Sequence, residues 1–285
     1  MKRILLLLTA FFVAASSRAE SEPCARIVSL APSVTEVIFE LGLGDKVVGV
    51  TRYCRYPLQA QSIAKVGGFY DMSLENLLAL KPTYVFGLRE NAEIRQSVTR
   101  FGVPSQEVDH TTVAGIKKSL TTIGEVCGVQ ERARQKLAVL EQREQAVRTQ
   151  MQGIPSYKTL VVVGRMHEGS SLSGVYVSGK DGFYSGVLEI LGMKNVNADS
   201  TVAIPMLSPE GLLSLSPEAI MEIVNTDDPE NPAGETSPWK RYSTVAAVKN
   251  GRIFVFREDY ASIPGPRYIM LVEEFARRFR AKEVS

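Results

Sequence analysis

The sequence predicts an α/β protein built as two lobes joined by one long, rigid helix. Three observations predict it. Short apolar strands alternate with amphipathic helices, the rhythm of parallel α/β units. Near mid-chain, Val129 to Met151 runs without a glycine or a proline. A ten-residue segment at Ser73–Pro82 returns 135 positions later at Ser208–Pro217, with six identities. Internal repetition at that distance suggests two lobes of similar build.

The elements follow in chain order. Lys2 and Arg3 precede an apolar run, Ile4 to Ala15, broken only by Thr9. Small residues stand at 17 and 19, the layout of a secretory signal peptide over 1–19 cut after Ala19. The run has 12 residues, and a membrane-spanning helix needs roughly 20. No later run is long enough to span either. A lipid anchor at Cys24 is disfavoured, because Ser21-Glu22-Pro23 lacks an apolar lead-in.

An N-terminal lobe is expected over 20–128. Arg26–Leu30 reads as a strand, and Ser33-Val-Thr-Glu36 as a capping box opening a helix to about Gly42. Asp45–Val50 and Thr83–Gly87 read as further strands, with a Ser73-capped helix over 74–80 between them. Residues 129–153 form the connecting helix, rich in Glu, Gln, Arg, Ala and Leu, with Leu137, Leu140, Val147 and Met151 near one face. Gly153 and Pro155 stop it. The C-terminal lobe, 154–285, resumes with a strand at 159–164, a helix within 182–192, a strand at 251–256 and a closing amphipathic helix over 267–282. The Gly- and Ser-rich stretch 169–186 reads as a mobile cleft loop.

Charge and cysteines narrow the function. Acids and bases nearly balance, and no basic stripe marks nucleic-acid binding. Cys24, Cys54 and Cys127 permit one disulfide and one thiol in an oxidising compartment. The sequence does not choose the pair. Only His110 and His167 are present, too few for a zinc or manganese receptor, so no metal site is expected. No nucleophile elbow, P-loop or H-E-x-x-H is present, so no catalytic residue is assigned.

Several strings together resemble a known family. They are Arg26-Ile-Val-Ser-Leu-Ala-Pro-Ser-Val-Thr-Glu36, Asp45–Val50, Tyr53-Cys-Arg-Tyr-Pro57, Val66-Gly-Gly-Phe69 and Leu74-Glu75…Leu80-Lys-Pro82. Gly251–Val255 and Gly265-Pro-Arg267 extend the likeness into the second half. The chain resembles periplasmic receptors for vitamin B12 and ferric siderophores, over nearly all of its exported length. The resemblance implies central, mostly parallel sheets in the two lobes and a small-molecule ligand in the cleft between them. It implies a monomer that delivers its cargo to the permease dimer of an ABC importer, with no cofactor of its own.

By the same resemblance, Tyr53, Phe69, Leu88, Tyr176, Ile204 and Asp259 match ligand-binding positions, with Tyr70, Tyr260 and Arg267 as neighbours. The familiar cobalamin receptors carry tryptophan where Phe69, Leu88 and Ile204 stand, and Ile263 replaces a basic residue. A related corrinoid, a siderophore or haem therefore stays open beside cobalamin. Tyr53, Tyr70 and His167 have the chemistry of an axial haem ligand. Arg52, Arg55 and Arg89 suit an anionic chelate or plain solvated surface. Glu75 and Glu210 have two readings: helix-start carboxylates at the positive end of a helix dipole, or, as the resemblance implies, docking groups for permease arginines.

Overall fold

A computed structural model describes residues 22–69, 71–168, 171–179, 182–224 and 237–284. The expected signal peptide and Tyr70 lie outside these residues. The N-terminal lobe holds β1 (Ile27–Ser29), α1 (Pro32–Glu40), β2 (Val47–Val50), α2 (Leu74–Ala79), β3 (Tyr84–Gly87), α3 (Ala92–Arg100), β4 (Ser105–Glu107) and α4 (Val113–Val126). Its four strands form a parallel sheet in the order β2-β1-β3-β4. Ile27 and Val28 are fully buried, because a parallel strand is covered on both faces.

The long helix, α5, spans Gln130–Gln150. Leu140, Val147 and Met151 are buried as the sequence implies, and Leu137 is half-buried. The helix is fastened to both lobes. Arg132 donates to the carbonyls of Leu41 and Gly42, while Arg143 pairs with Glu273 and Arg148 donates to the carbonyl of Glu189. Buried Glu144 accepts from Tyr268 and pairs with Lys117.

The C-terminal lobe holds β5 (Lys158–Glu168), β6 (Ser171–Val177), α6 (Phe183–Ile190), β7 (Lys194–Asn195), β8 (Met206–Leu207), α7 (Pro209–Leu215), β9 (Ala219–Ile223), α8 (Ala246–Lys249), β10 (Ile253–Phe256) and α9 (Tyr268–Val284). Its sheet runs β10-β9-β5-β6-β8, with β7 on β5. The β10, β9, β5 and β7 pairings are parallel, but β6 runs antiparallel to both β5 and β8. This corrects the expected cleft loop at residues 171–177, which form a strand, while the helix at 183–190 falls within the expected 182–192. Leu172, Val175 and Val177 are buried by pairing in a hairpin, which needs only a short turn and no crossover helix.

The repeat reappears in the backbone. Ser73 and Ser208 each cap a short helix, accepting from the backbone N–H of Asn76 and Gly211. Among the described residues, the non-glycines with positive φ are Lys81 at 48° and Ser216 at 42°. They occupy equivalent places in the repeat, each just before its proline. Both lobes thus stop the same helix with a left-handed residue and turn into the next strand at a proline.

Ser33 and Glu36 depart from the expected capping box. The cap is Ala31, with no side-chain bond, and Pro32 takes the first helical position, where its missing N–H costs nothing. Ser33 and Glu36 therefore sit inside α1, and both are buried. No helix among the described residues is long and apolar enough to cross a membrane. Cys24 is bonded to Cys127 and Cys54 is the buried free thiol, which settles the pairing. One apolar core runs from Ile27 through α4 and α5 to Phe275 and Phe279 of α9, so the lobes share a seam.

Candidate functional site

A cavity of about 210 Å³ lies between the lobes. Its walls are loops that leave the C-terminal ends of parallel strands, the usual place for a site in such sheets. Leu30 to Ser33 follow β1, Thr51 and Tyr53 follow β2, and Leu88 follows β3. Phe69 completes the N-terminal wall. Ser262, Ile263 and Pro264, beyond β10, supply the opposite wall. The lining is mostly apolar, as suits a site that recognises shape through aromatic and aliphatic faces.

Tyr53, Phe69 and Leu88 are thus brought together as ligand-binding candidates. Tyr53 and Phe69 are each 50% exposed, an unusual state for large rings that have a core available. Tyr176 and Ile204 are not among the cavity's walls. They are 40% and 57% exposed. Residues 159–162 of β5 pair with β9, whereas the strand beyond Gly164 pairs with β6. The hairpin that carries Tyr176 therefore projects from the same end of the sheet as the loop after β10. Met206, which pairs with Tyr176 across β6 and β8, is exposed too, as are Met166 and Val202.

Asp259 opens a short 3-10 turn, three residues before the cavity wall. Its carboxylate is half exposed and gripped by Arg267, with N–O distances of 2.7 and 3.0 Å. Those hydrogen bonds hold its pKa below the ordinary carboxylate value. The same guanidinium donates to Glu36 at 2.5 Å and stacks 3.8 Å from the centroid of the Tyr56 ring. Tyr56 precedes a cis proline, Pro57. Burial works against the charge on Arg267, but Glu36 and Asp259 outweigh it and hold its pKa above the ordinary value. Burial pushes the Glu36 carboxyl up to about 7, against the pull of Arg267.

Sequence reasoning missed a second buried arrangement. His110 Nε2 lies 2.9 Å from Ser119 Oγ, and Ser119 Oγ donates to the carbonyl of Ile116. Ser119 has one proton, so it accepts from Nε2–H, and Nδ1 is left to accept from Ser33 Oγ at 2.8 Å. Burial lowers the His110 pKa to about 4, so the ring is neutral at ordinary pH. It braces the start of α1 under the cavity and is not available as a ligand. No signal in the sequence marked this, because the partners are 77 residues apart.

The remaining candidates are placed as follows. Arg52 pairs with Asp71 on the surface, and Arg55 and Arg89 are exposed. Tyr260 is half-buried against the main core. The side chain of His167 lies outside what is described. No cluster of three or more His, Cys, Asp or Glu side chains forms a metal site among the described residues. Glu75 and Glu210 are both exposed in the first turns of α2 and α7. Hydrogen bonding to its own backbone N–H and to Ser208 holds Glu210 below its ordinary pKa.

Known proteins share this architecture. A family model described as periplasmic binding protein matches residues 27–260. An uncharacterized ABC transporter substrate-binding lipoprotein of Bacillus subtilis, YvrC, is 32% identical over 88% of this chain and 78% of its own length. A vitamin B12-binding protein of Vibrio parahaemolyticus is 26% identical over 99% of this chain and 98% of its own. The crystal structure of BtuF, a periplasmic vitamin B12 binding protein of Vibrio cholerae, superposes with a TM-score of 0.76 at 24% identity, covering 92% of this chain and 99% of that one. With a two-lobed fold, an apolar cavity between the lobes and this match over most of its length, the chain belongs to the periplasmic binding protein family.

Proposed function

We propose that this protein captures cobalamin or a related corrinoid outside the cytoplasmic membrane and delivers it to an ABC importer. The observation that carries this reading is the meeting of Tyr53, Phe69 and Leu88 at one interlobe cavity, with Asp259 beside it. Aromatic faces pack on a flat macrocycle, and a fixed carboxylate accepts hydrogen bonds from peripheral amides. The cavity alone is smaller than the ~300–1,000 Å³ of ordinary ligand sites. It takes one edge of the ligand, and the exposed Tyr176 of the projecting hairpin and Ile204 just before β8 cover the rest. The curated relative named for vitamin B12 supports this choice.

Export through a signal peptide cut after Ala19 and action as a monomer belong to the same reading. Glu75 and Glu210, exposed at equivalent places in the two lobes, dock on basic groups of the permease dimer. Calorimetry of the purified chain with cyanocobalamin, dicyanocobinamide, a ferric siderophore and haemin tests the ligand. Binding of a corrinoid is expected, and binding of haemin alone overturns the reading. A Glu75→Ala, Glu210→Ala double variant is expected to keep its ligand and lose the permease. Unchanged permease binding refutes the docking assignment.

A further inference from the structure

Arg267 is held by three side chains at once. Its guanidinium joins Asp259 of the C-terminal lobe to Glu36 of α1, with Tyr56 of the N-terminal lobe stacked on its face. The residue is 7% exposed and Glu36 is 1% exposed. Gly265 lets the chain come this close, because a Cβ there would lie 2.6 Å from Glu36 Oε2. Glu36 Oε2 and Arg267 Nε have no hydrogen-bond partner among the described residues. One cation is therefore shared by two carboxylates, of which only Asp259 reaches solvent.

We propose that Arg267 is a positioning residue held in common by both lobes, fixing Asp259 as the hydrogen-bond acceptor for ligand N–H groups and tying that acceptor to the buried carboxylate of Glu36. The inference rests on the corrinoid reading for the nature of the ligand. A planar guanidinium grips a carboxylate in two places and fixes its plane; an ammonium does not. The grip leaves the half-exposed Asp259 carboxylate with lone pairs open to solvent, three residues before the cavity wall. Glu36 sets how strongly Arg267 neutralises Asp259. When Glu36 is ionised, two negative charges divide one positive charge and Asp259 is the better acceptor. When Glu36 takes a proton, the cation serves Asp259 alone and the acceptor weakens.

The Glu36 carboxyl titrates near 7, so this exchange falls within an ordinary pH range. The other charged groups facing the pair are Glu40 on α1 and Arg55 after β2. His110, which braces Ser33 one turn before Glu36 on α1, is neutral throughout that range. Amide-bearing ligands thus bind more tightly above pH 7 than below it.

The test is calorimetry with cyanocobalamin and dicyanocobinamide at pH 6, 7 and 8, with circular dichroism to verify folding. The proteins are the wild-type chain, Arg267→Lys, Asp259→Asn, the two combined, and Glu36→Gln. Loss of one charge-assisted hydrogen bond predicts about tenfold weaker binding for Arg267→Lys and for Asp259→Asn. The combined variant is expected to be no weaker than either, because both changes act on the same acceptor. Glu36→Gln is expected to abolish the pH dependence between 6 and 8. Additive losses, wild-type affinity in Arg267→Lys, or a wild-type pH profile in Glu36→Gln overturns the inference. If Arg267→Lys does not fold, the Glu36→Gln profile decides alone. Binding by the wild-type chain tests the corrinoid reading, whereas the ratio of variant to wild type tests this one.

Discussion

Two buried groups should make stability nearly independent of pH in a window where neither alone would. Burial raises Glu36 from 4.5 to about 7. The folded protein therefore keeps a proton that the unfolded chain has lost. The stability this gives is complete below about pH 4.5 and disappears as the pH rises through about 7. Burial lowers His110 from 6.5 to about 4. Here the unfolded chain holds the extra proton. That contribution is complete above about pH 6.5 and is lost as the pH falls through about 4. Each shift corresponds to about 3 kcal/mol at ~1.4 kcal/mol per pH unit. The slopes are opposite in sign, so they cancel between about pH 4.5 and 6.5. Asp71, Asp109, Asp259 and Glu274, all lowered by hydrogen bonding, titrate below that window. Urea unfolding followed by circular dichroism at pH 4.5, 5.5 and 6.5 reads the balance. The wild-type free energy is expected to stay level within about 1 kcal/mol, that of Glu36→Gln to rise by about 3 kcal/mol across the window, and that of His110→Gln to fall by about as much. A Glu36→Gln profile parallel to the wild type refutes the argument.

Other outcomes follow from single contacts. Cys24 and Cys127 close a loop across a separation of 103 residues, so the double serine variant should lose about 2–5 kcal/mol; a change under 1 kcal/mol on urea unfolding contradicts the pairing. Gly265→Ala places a Cβ against the Glu36 carboxyl and should cost about 1–3 kcal/mol of stability, measured the same way. Ser73→Ala removes the cap on α2; about 1 kcal/mol of stability is expected to go with it, while ligand affinity in calorimetry stays unchanged. Phe69→Ala strips one ring from the cavity wall and should weaken corrinoid binding about tenfold without lowering the urea midpoint.

The sequence announced most of the scaffold because its signals are local. The absence of Gly and Pro marks α5 within a residue or two. The Ser73 and Ser208 segments disclosed a repeat that extends to the left-handed residues at 81 and 216. The parallel N-terminal sheet followed from alternation alone. The hairpin of β5 and β6 did not, because glycines and serines on a strand face look like loop composition until a partner strand supplies the pairing. The site divides the same way. Tyr53, Phe69 and Leu88 stand in strings with a recognisable pattern, and they meet at the cavity. Glu36 was read as half of a local capping box, yet its partner Arg267 is 231 residues away. No window along the chain contains that pair, so only the fold discloses it.

The single tryptophan has an optical consequence. Trp239 is fully buried in the C-terminal lobe, donates from Nε1 to Glu222 and lies under the Arg165 guanidinium. It takes no part in the cavity. Its indole is dry and fixed, so the colour of its emission reports whether that lobe is folded. A corrin or porphyrin held between the lobes absorbs in the range where indole emits, and drains the emission through space without touching the ring. Intensity therefore reads ligand capture while wavelength reads unfolding, and one native fluorophore separates the two events in the same cuvette.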